Sequence, residues 1–410
     1  MSKINNYTYN SFVDMMSSVI SFDISIFHCY TLRVLNIYKE DALVKQIHRI
    51  VLTGGPCAGK TTAFARIETE LTNLGYKVFV MPETFTELYG GGIKLFEYPA
   101  VEFQDMLFRL QNAKEHIYDE AAEKCEEDNV VILYDRGLVD ALAYMTEEDA
   151  AEILRRNNVS INTLMNMYDA VIHLITAADG AAEAYLANKE SNPARYETVD
   201  EAIAADRALQ KAWTGHPHLR IVDNSTDFSS KINRMMAEIF AVLGEPAPLE
   251  IEKKFLIQKP DFAELSKHIN FSEQQIIQTY LCDTGNGVER RIRMRGVEGD
   301  YTFFYTEKKF IRAGVRVETE RKISEREYIN YLMQTDCQKR QIRKTRYCFI
   351  YNNLYYELDV YPFWDDKAIL EIELSSEASK FDIPDFIKPI KDVTCNPAYS
   401  NFMLASKIPD

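Results

Sequence analysis

The residues Gly54, Gly55, Pro56, Cys57, Ala58, Gly59, Lys60, Thr61 and Thr62 constrain the fold of this chain more than any other feature. Their spacing, Gly-x-x-x-x-Gly-Lys-Thr, follows an apolar run (RIVLTG, 49–54) that reads as a buried strand. It precedes a segment that reads as a helix through about Leu74. In that context the glycines let the backbone curl so that its N–H groups face inward on phosphate oxygens, and the helix N-terminus adds a favourable dipole. Lys60 is placed to reach the β and γ phosphates, and the Thr61 hydroxyl to help hold Mg²⁺. The nine residues from Gly54 to Thr62 are the expected contacts of a nucleoside triphosphate.

The pattern repeats downstream. KVFVMP (77–82), VVILYD (130–135), AVIHLIT (170–176) and LRIVDN (219–224) read as further strands, and helical periodicity runs over about 101–127 and 227–244. Strands alternating with helices predict a three-layer α/β unit with a parallel sheet. GEPAP (244–248) breaks this rhythm with two prolines beside a helix-ending glycine, and is the expected linker. Beyond it the periodicity shifts toward two over EIEKKFLI, ERRIRMRG, YTFFYTEKK, RVETERKI, YYELDVYP and AILEIEL, which predicts an antiparallel, barrel-like α+β domain. The expected organisation is an extension over 1–47 with no motif, a nucleotide-binding domain over 48–243, the linker, and a second domain over 249–410.

The net charge of −15 argues against general affinity for nucleic acid or anionic membranes. It is unevenly spread: residues 248–410 carry 25 Lys+Arg against 26 Asp+Glu, so the second domain is free to hold a basic site. Seven scattered cysteines without a C-x-x-C pair suggest neither a disulfide framework nor a zinc site. No run of 18 apolar residues occurs. A cytoplasmic protein is expected, with peripheral membrane association left open.

Three motifs accompany the phosphate loop. YDRG (134–137) ends the third strand, where Asp135 can support Mg²⁺ and Arg136 can clamp an anion. PETFTEL puts Glu83 at the end of the second strand, in the crevice where open α/β sheets bind ligands, as a base toward a substrate hydroxyl or a partner of magnesium. NPARYE (192–197) is a polar insertion in lid territory, and Arg195 is the candidate to close over the phosphates. Arg207 is a weaker one. Together GGPCAGKTT, MPE, DRG and NPARYE resemble the NadR-like AAA family over about 48–243. That resemblance implies binding of ATP or GTP with Mg²⁺ and, in some members, phosphoryl transfer to a nucleoside.

The second half alternates charges at i, i+2, which places them on one face of each strand. The sets are Glu250/Glu252/Lys254, Arg291/Arg293 with Arg295, Thr306/Lys308, Arg316/Glu318/Glu320, Lys344/Arg346, Glu357/Asp359 and Glu371/Glu373. One reading is a solvated outer face laced by cross-strand ion pairs. The other is a polar cavity in which carboxylates hold Mg²⁺ or Mn²⁺ beside a polyphosphate, since burying so many unpaired charges without a ligand would be costly. E-x-E-x-K, R-x-R, T-x-K, R-x-E-x-E, K-x-R, L-D, E-I-E and the closing AYSNFMLA resemble, in order, the CYTH or triphosphate-tunnel family over about 249–406. The resemblance implies an eight-stranded antiparallel tunnel. Phosphates would meet Lys254, Arg291, Arg293, Lys308, Arg316, Lys344 and Arg346. Metal would be carried by Glu250, Glu252 and Glu373, with Glu318, Glu320, Asp359 and Glu371 as further acidic candidates.

The order of the two domains resembles that in the family of the insect photoreceptor-channel translocation-defect protein, a resemblance that implies binding of GTP and phosphoinositides. Two functions are therefore expected. One is an NTPase or kinase-like enzyme with a triphosphate-hydrolysing second domain; the other is a nucleotide-dependent module that binds a phosphoinositide head group without turnover. No nucleic-acid partner is expected.

Overall fold

A computed structural model describes residues 45–190, 197–244, 252–282, 288–312, 315–374 and 380–409, with side chains except at 187–190 and 309–319. The extension up to residue 44, Arg195, the linker beyond Gly244 and Glu250 lie outside the described residues, as do the side chains of Arg316 and Glu318.

The first part is built on strands β1 (Gln46–Thr53), β2 (Lys77–Met81), β3 (Asn129–Asp135), β4 (Ala170–Leu174) and β5 (Leu219–Val222), in the sheet order β2-β3-β1-β4-β5. Pairing is parallel at β2/β3, β1/β4 and β4/β5. Both faces are covered, which is why β3 and β4 are continuous apolar runs rather than alternating ones. The helices between the strands are α1 (Lys60–Asn73), α2 (Thr84–Gly90), α3 (Ala100–Lys124), α4 (Leu138–Leu142), α5 (Glu147–Arg156), α6 (Ile161–Met165), α7 (Ala182–Glu190), α8 (Val199–Trp213) and α9 (Phe228–Leu243). One core packs α1 and α9 on the sheet through Phe64, Ile67, Leu71, Ile232, Met235 and Ile239. Another fills the opposite side around Phe108, Tyr134, Tyr168 and Trp213. α9 ends at Gly244 in the left-handed region (φ 77°), the conformation its sequence position anticipates.

The second part is an antiparallel sheet of nine strands: β6 (Glu252–Gln258), β7 (Phe271–Tyr280), β8 (Val288–Val297), β9 (Asp300–Arg312), β10 (Val315–Ile323), β11 (Ile342–Tyr351), β12 (Leu354–Val360), β13 (Lys367–Glu373) and β14 (Pro389–Asp392). Their order is β10-β9-β8-β7-β11-β12-β13-β6-β14. The resemblance implied eight strands. The ninth, β14, adds a short edge to β6.

Register carries the charged residues onto one face. Arg346 lies opposite Asp359, Glu357 opposite Glu371, Glu371 opposite Lys254, and Arg291 opposite Thr306, which lies opposite Glu320. The other face is apolar, with Phe255, Ile257, Phe349, Tyr356, Leu358, Leu370 and Ile372 in one core. On the charged face, an apolar cluster of Leu256, Tyr280, Ile342, Tyr361 and Ile369 packs against Val393, Tyr399 and Leu404 at one end. At the other end Cys348 and Tyr355 join the core of the parallel-sheet part, beside Trp213, Val171 and Leu219. The charges therefore form a band between two apolar closures.

Candidate functional site

The phosphate loop needs three unusual backbone conformations. Gly54 (φ 145°), Cys57 (φ 58°) and Gly59 (φ 97°) all have positive φ. Gly59 is the residue before α1, so the turn into the helix requires the left-handed region. Gly55 is needed for another reason: a Cβ there would lie 2.8 Å from Asp206 Oδ1.

Asp206, on α8, anchors the loop. It accepts hydrogen bonds from Gly55 N (2.7 Å), Thr176 N (3.0 Å) and Gln210 Nε2 (2.9 Å), and lies 3.1 Å from His173 Nε2. Burial opposes its ionisation, but His173 and these donors outweigh it and hold its pKa below the usual carboxylate range. Lys231, on α9, fixes the loop from beneath. Its buried ammonium donates to Ala58 O (3.2 Å), Ile175 O (2.6 Å) and Asn224 Oδ1 (2.7 Å). Burial lowers its pKa to about 8. Neither residue belongs to a sequence motif. AADRALQ and SSKINRM read as ordinary amphipathic helix, and only their arrival under the loop reveals them.

At the C-terminal edge of the sheet the expected residues converge. Lys60 Nζ lies 3.8 Å from Asp135 Oδ1. That oxygen is buried and has no hydrogen-bond partner among the described residues. Burial raises the Asp135 pKa and lowers that of Lys60. An unsatisfied carboxylate oxygen at a strand end, 3.8 Å from the Lys60 ammonium at the start of α1, fits a hard divalent cation. Thr61 and Asp135 are the residues that could hold it.

Arg136 is the most constrained residue of the site. Its φ of 72° is left-handed although it carries a side chain, which costs about 1–2 kcal/mol and calls for support on both sides. Its N–H donates to Leu52 O (3.2 Å) and its carbonyl accepts from Gln111 Nε2 (3.0 Å). The guanidinium donates to Glu83 Oε1 (2.7 Å) and to Tyr144 Oη (3.4 Å), and pairs with Asp140 at 3.6 Å. Glu83 also accepts from Thr86 Oγ1 at 2.6 Å. Burial works against the Glu83 charge, yet Arg136 and Lys60 bring its pKa down to about 2. Gly137 completes the motif because a Cβ there would sit 2.8 Å from the Trp213 ring. Asp140 was visible in the sequence only as an acid four residues after Arg136. It holds the turn by accepting from Gly137 N (2.8 Å) and Trp213 Nε1 (3.2 Å). Arg207 is exposed on α8.

The charged face of the antiparallel sheet brings together most of its expected residues and pairs them with one another. Lys254 Nζ bridges Glu252 (3.1 Å) and Glu371 (2.8 Å). Arg346 forks onto Asp359 (2.7 and 2.6 Å) and reaches Glu371 (2.8 Å) and Glu357. Lys344 pairs with Asp359, and Arg293 with Glu320 (2.6 and 2.8 Å), which also accepts from Thr306 Oγ1 (2.9 Å). Glu373 pairs instead with Arg220 of β5 at 2.5 Å. Of the two readings of this face, the cross-strand ion pairs are present: acids and bases neutralise each other across the strands. Among the described residues, no group of three His, Cys, Asp or Glu side chains converges in a way that could hold a metal ion. Arg291 and Lys308 lie on the same face, while Arg316, Glu318 and Glu250 lie outside the described side chains.

No helix among the described residues is long and apolar enough to cross a membrane. Residues 49–231 match the family model described as an AAA domain. Solved structures similar to the chain include the inorganic triphosphatase NE1496, at 28% identity and a TM-score of 0.28 over 39% of this chain and 97% of that one. Others are the PH1819 protein from Pyrococcus horikoshii OT3 (19%, TM-score 0.25, over 31% and 80%) and HpAC1 from Hippeastrum (13%, TM-score 0.22, over 31% and 80%). The last is described as revealing a dominant triphosphatase activity. No curated protein matches.

Proposed function

We propose that this chain is a phosphoryl-transfer enzyme with two phosphate sites, one for a nucleoside triphosphate with Mg²⁺ at the phosphate loop and one for a triphosphate on the charged face. The observation that carries it is the convergence of Lys60, Asp135, Arg136 and Glu83 at the mouth of a loop that Asp206 holds at the Gly55 N–H and Lys231 at the Ala58 carbonyl. In this reading Lys60 meets the β and γ phosphates of ATP or GTP, and Arg136 orients the anion being transferred. Thr61 and Asp135 would hold Mg²⁺, which supplies charge neutralisation between the phosphates. Glu83, ionised across the physiological range, holds Arg136 and can accept from a substrate hydroxyl. Arg195 is assigned the closing arginine on its sequence pattern alone.

On the second sheet the ion pairs exchange partners. A triphosphate takes over Lys254, Arg291, Arg293, Lys308, Arg316, Lys344 and Arg346. That releases Glu252, Glu320, Asp359, Glu371 and Glu373, with Glu250 and Glu318, to accompany Mg²⁺ or Mn²⁺. In the exchange each cation passes from a carboxylate to a phosphate oxygen and each released carboxylate to the metal, so no buried charge is left without a partner.

Calorimetric titration with ATP, GTP and tripolyphosphate, alongside phosphate release, tests the assignment. Lys60→Ala should weaken nucleoside triphosphate binding by about two orders of magnitude and leave tripolyphosphate binding at the charged face. Arg293→Ala should do the converse. Equal nucleotide affinity in Lys60→Ala and wild type would sink the first site. If no phosphate is released with either metal, but vesicles carrying phosphoinositides are bound in a nucleotide-dependent way, the second site is a head-group receptor instead.

A further inference from the structure

Arg220 belongs to β5, the edge strand of the parallel sheet, yet its side chain enters the charged band of the antiparallel one. Only 15% of the side chain is exposed. Its Nη2 lies 2.5 Å from Glu373 Oε1 and its Nε 3.4 Å from Glu238 Oε2 on α9. Glu373 stands opposite Glu252 and two residues from Glu371, the two carboxylates that Lys254 bridges. Arg220 therefore lengthens the band by one cation that no strand of the antiparallel sheet supplies. A second link lies nearby, where Arg295 on β8 donates to the carbonyl of Gly215 in the parallel-sheet part.

The same helix that offers Glu238 to Arg220 also grips the phosphate loop. Lys231 holds Ala58 O, and the Phe228 ring covers Gly59 so closely that a Cβ there would lie 2.6 Å from it. Lys231 and Glu238 are seven residues apart, two turns or about 10 Å of rigid helix. Arg220 is thus shared between one carboxylate on a helix tied to the phosphate loop and another in the charged band. A small shift of α9 changes how that guanidinium is divided, and with it the electrostatics at Glu373.

Resting on the two-site reading above, we propose that Arg220 is a positioning residue of the charged-face site: it orients Glu373 and, through Glu238 and α9, makes polyphosphate affinity depend on whether the phosphate loop is occupied. The coupling is reciprocal, so polyphosphate alters nucleotide affinity by the same factor.

The test is calorimetry on the full chain. Tripolyphosphate is titrated with and without a saturating non-hydrolysable nucleoside triphosphate and Mg²⁺, and Arg293→Ala defines the share due to the charged face. Wild type should show at least about a fivefold difference in affinity between the two conditions. Arg220→Gln should reduce it below about twofold while nucleotide still binds, and Arg220→Lys, which can keep one carboxylate, should restore part of it. Glu238→Gln keeps the Arg220–Glu373 pair, so it should shrink the difference and serves if Arg220→Gln does not fold. A wild-type ratio of one, or an undiminished ratio in Arg220→Gln or Glu238→Gln, overturns the proposal. If either ligand fails to bind wild type, the two-site reading itself falls, and the coupling with it.

Discussion

Glu115 sits in α3 with 1% of its surface exposed, accepting from Gln111 Nε2 (3.0 Å) and Tyr168 Oη (2.9 Å) behind the strained Arg136 turn. Burial is the largest influence and pushes its pKa up to about 8. The folded state then holds a proton that the unfolded chain releases from about pH 4.5 upward, so stability falls as pH rises from there to about 8. Glu115→Gln keeps the shape and removes the titration. It should be more stable than wild type near pH 8 by a few kcal/mol, on the order of magnitude such a shift implies, with the gap closing near pH 4. Denaturant melts at pH 4.5, 6 and 8 check this; a gap that does not vary with pH would refute it. Glu83 has the opposite sign. Its pKa of about 2 gives a contribution present above 4.5 and lost as pH falls toward 2.

Among the elements, the β11–β12 hairpin governs the charged band. Tyr351 pairs with Leu354 across a two-residue loop, Asn352 (φ 48°) and Asn353 (φ 59°). Both central residues are left-handed, the geometry of a type I′ turn, and asparagine tolerates it better than most side chains. That loop sets the register in which Arg346 faces Asp359. A slip of one residue would turn the charged row of β12 onto the apolar core of Tyr356 and Leu358. Asn353→Val should cost roughly 1–2 kcal/mol because a β-branched residue resists positive φ, and Asn353→Gly should cost nothing or stabilise slightly. Thermal melts of the two variants would expose an error if the valine form melted with wild type.

Across the whole described region from Ile47 onward, the two sheets share a core rather than a linker alone. Cys348 and Tyr355 pack with Trp213, Val171 and Leu219, and Gly215 lies at this seam with φ 110°. A Cβ at Gly215 would stand 2.5 Å from Ser272 Oγ, and its carbonyl already accepts from Arg295. Gly215→Ala should therefore destabilise by about 1–3 kcal/mol through strain and overpacking. Because the seam is common to both parts, the unfolding seen by tryptophan fluorescence, from Trp213 in one part and Trp364 in the other, and by circular dichroism should move down together. Two separated transitions, only one of them shifted, would show that the seam does not join the parts.

What could be read from the sequence was whatever local chemistry encodes. The phosphate loop, the Asp135-Arg136-Gly137 turn, the apolar strands β3 and β4 and the period-two charges of β11 to β13 all follow from spacings of a few residues, since backbone conformation and side-chain direction are set at that range. Partner choice was decided only by the tertiary structure. Asp206 meets Gly55 across 151 positions and Arg220 meets Glu373 across 153. Nothing within either helix or strand distinguishes those side chains from solvated ones. The same holds for the charged band: the sequence arranged its residues in rows, but the antiparallel register decided that acids and bases would neutralise one another. Packing of one sheet's edge on the other brought in Arg220, because a guanidinium with only 15% of its side chain exposed needs carboxylates from whichever elements reach it.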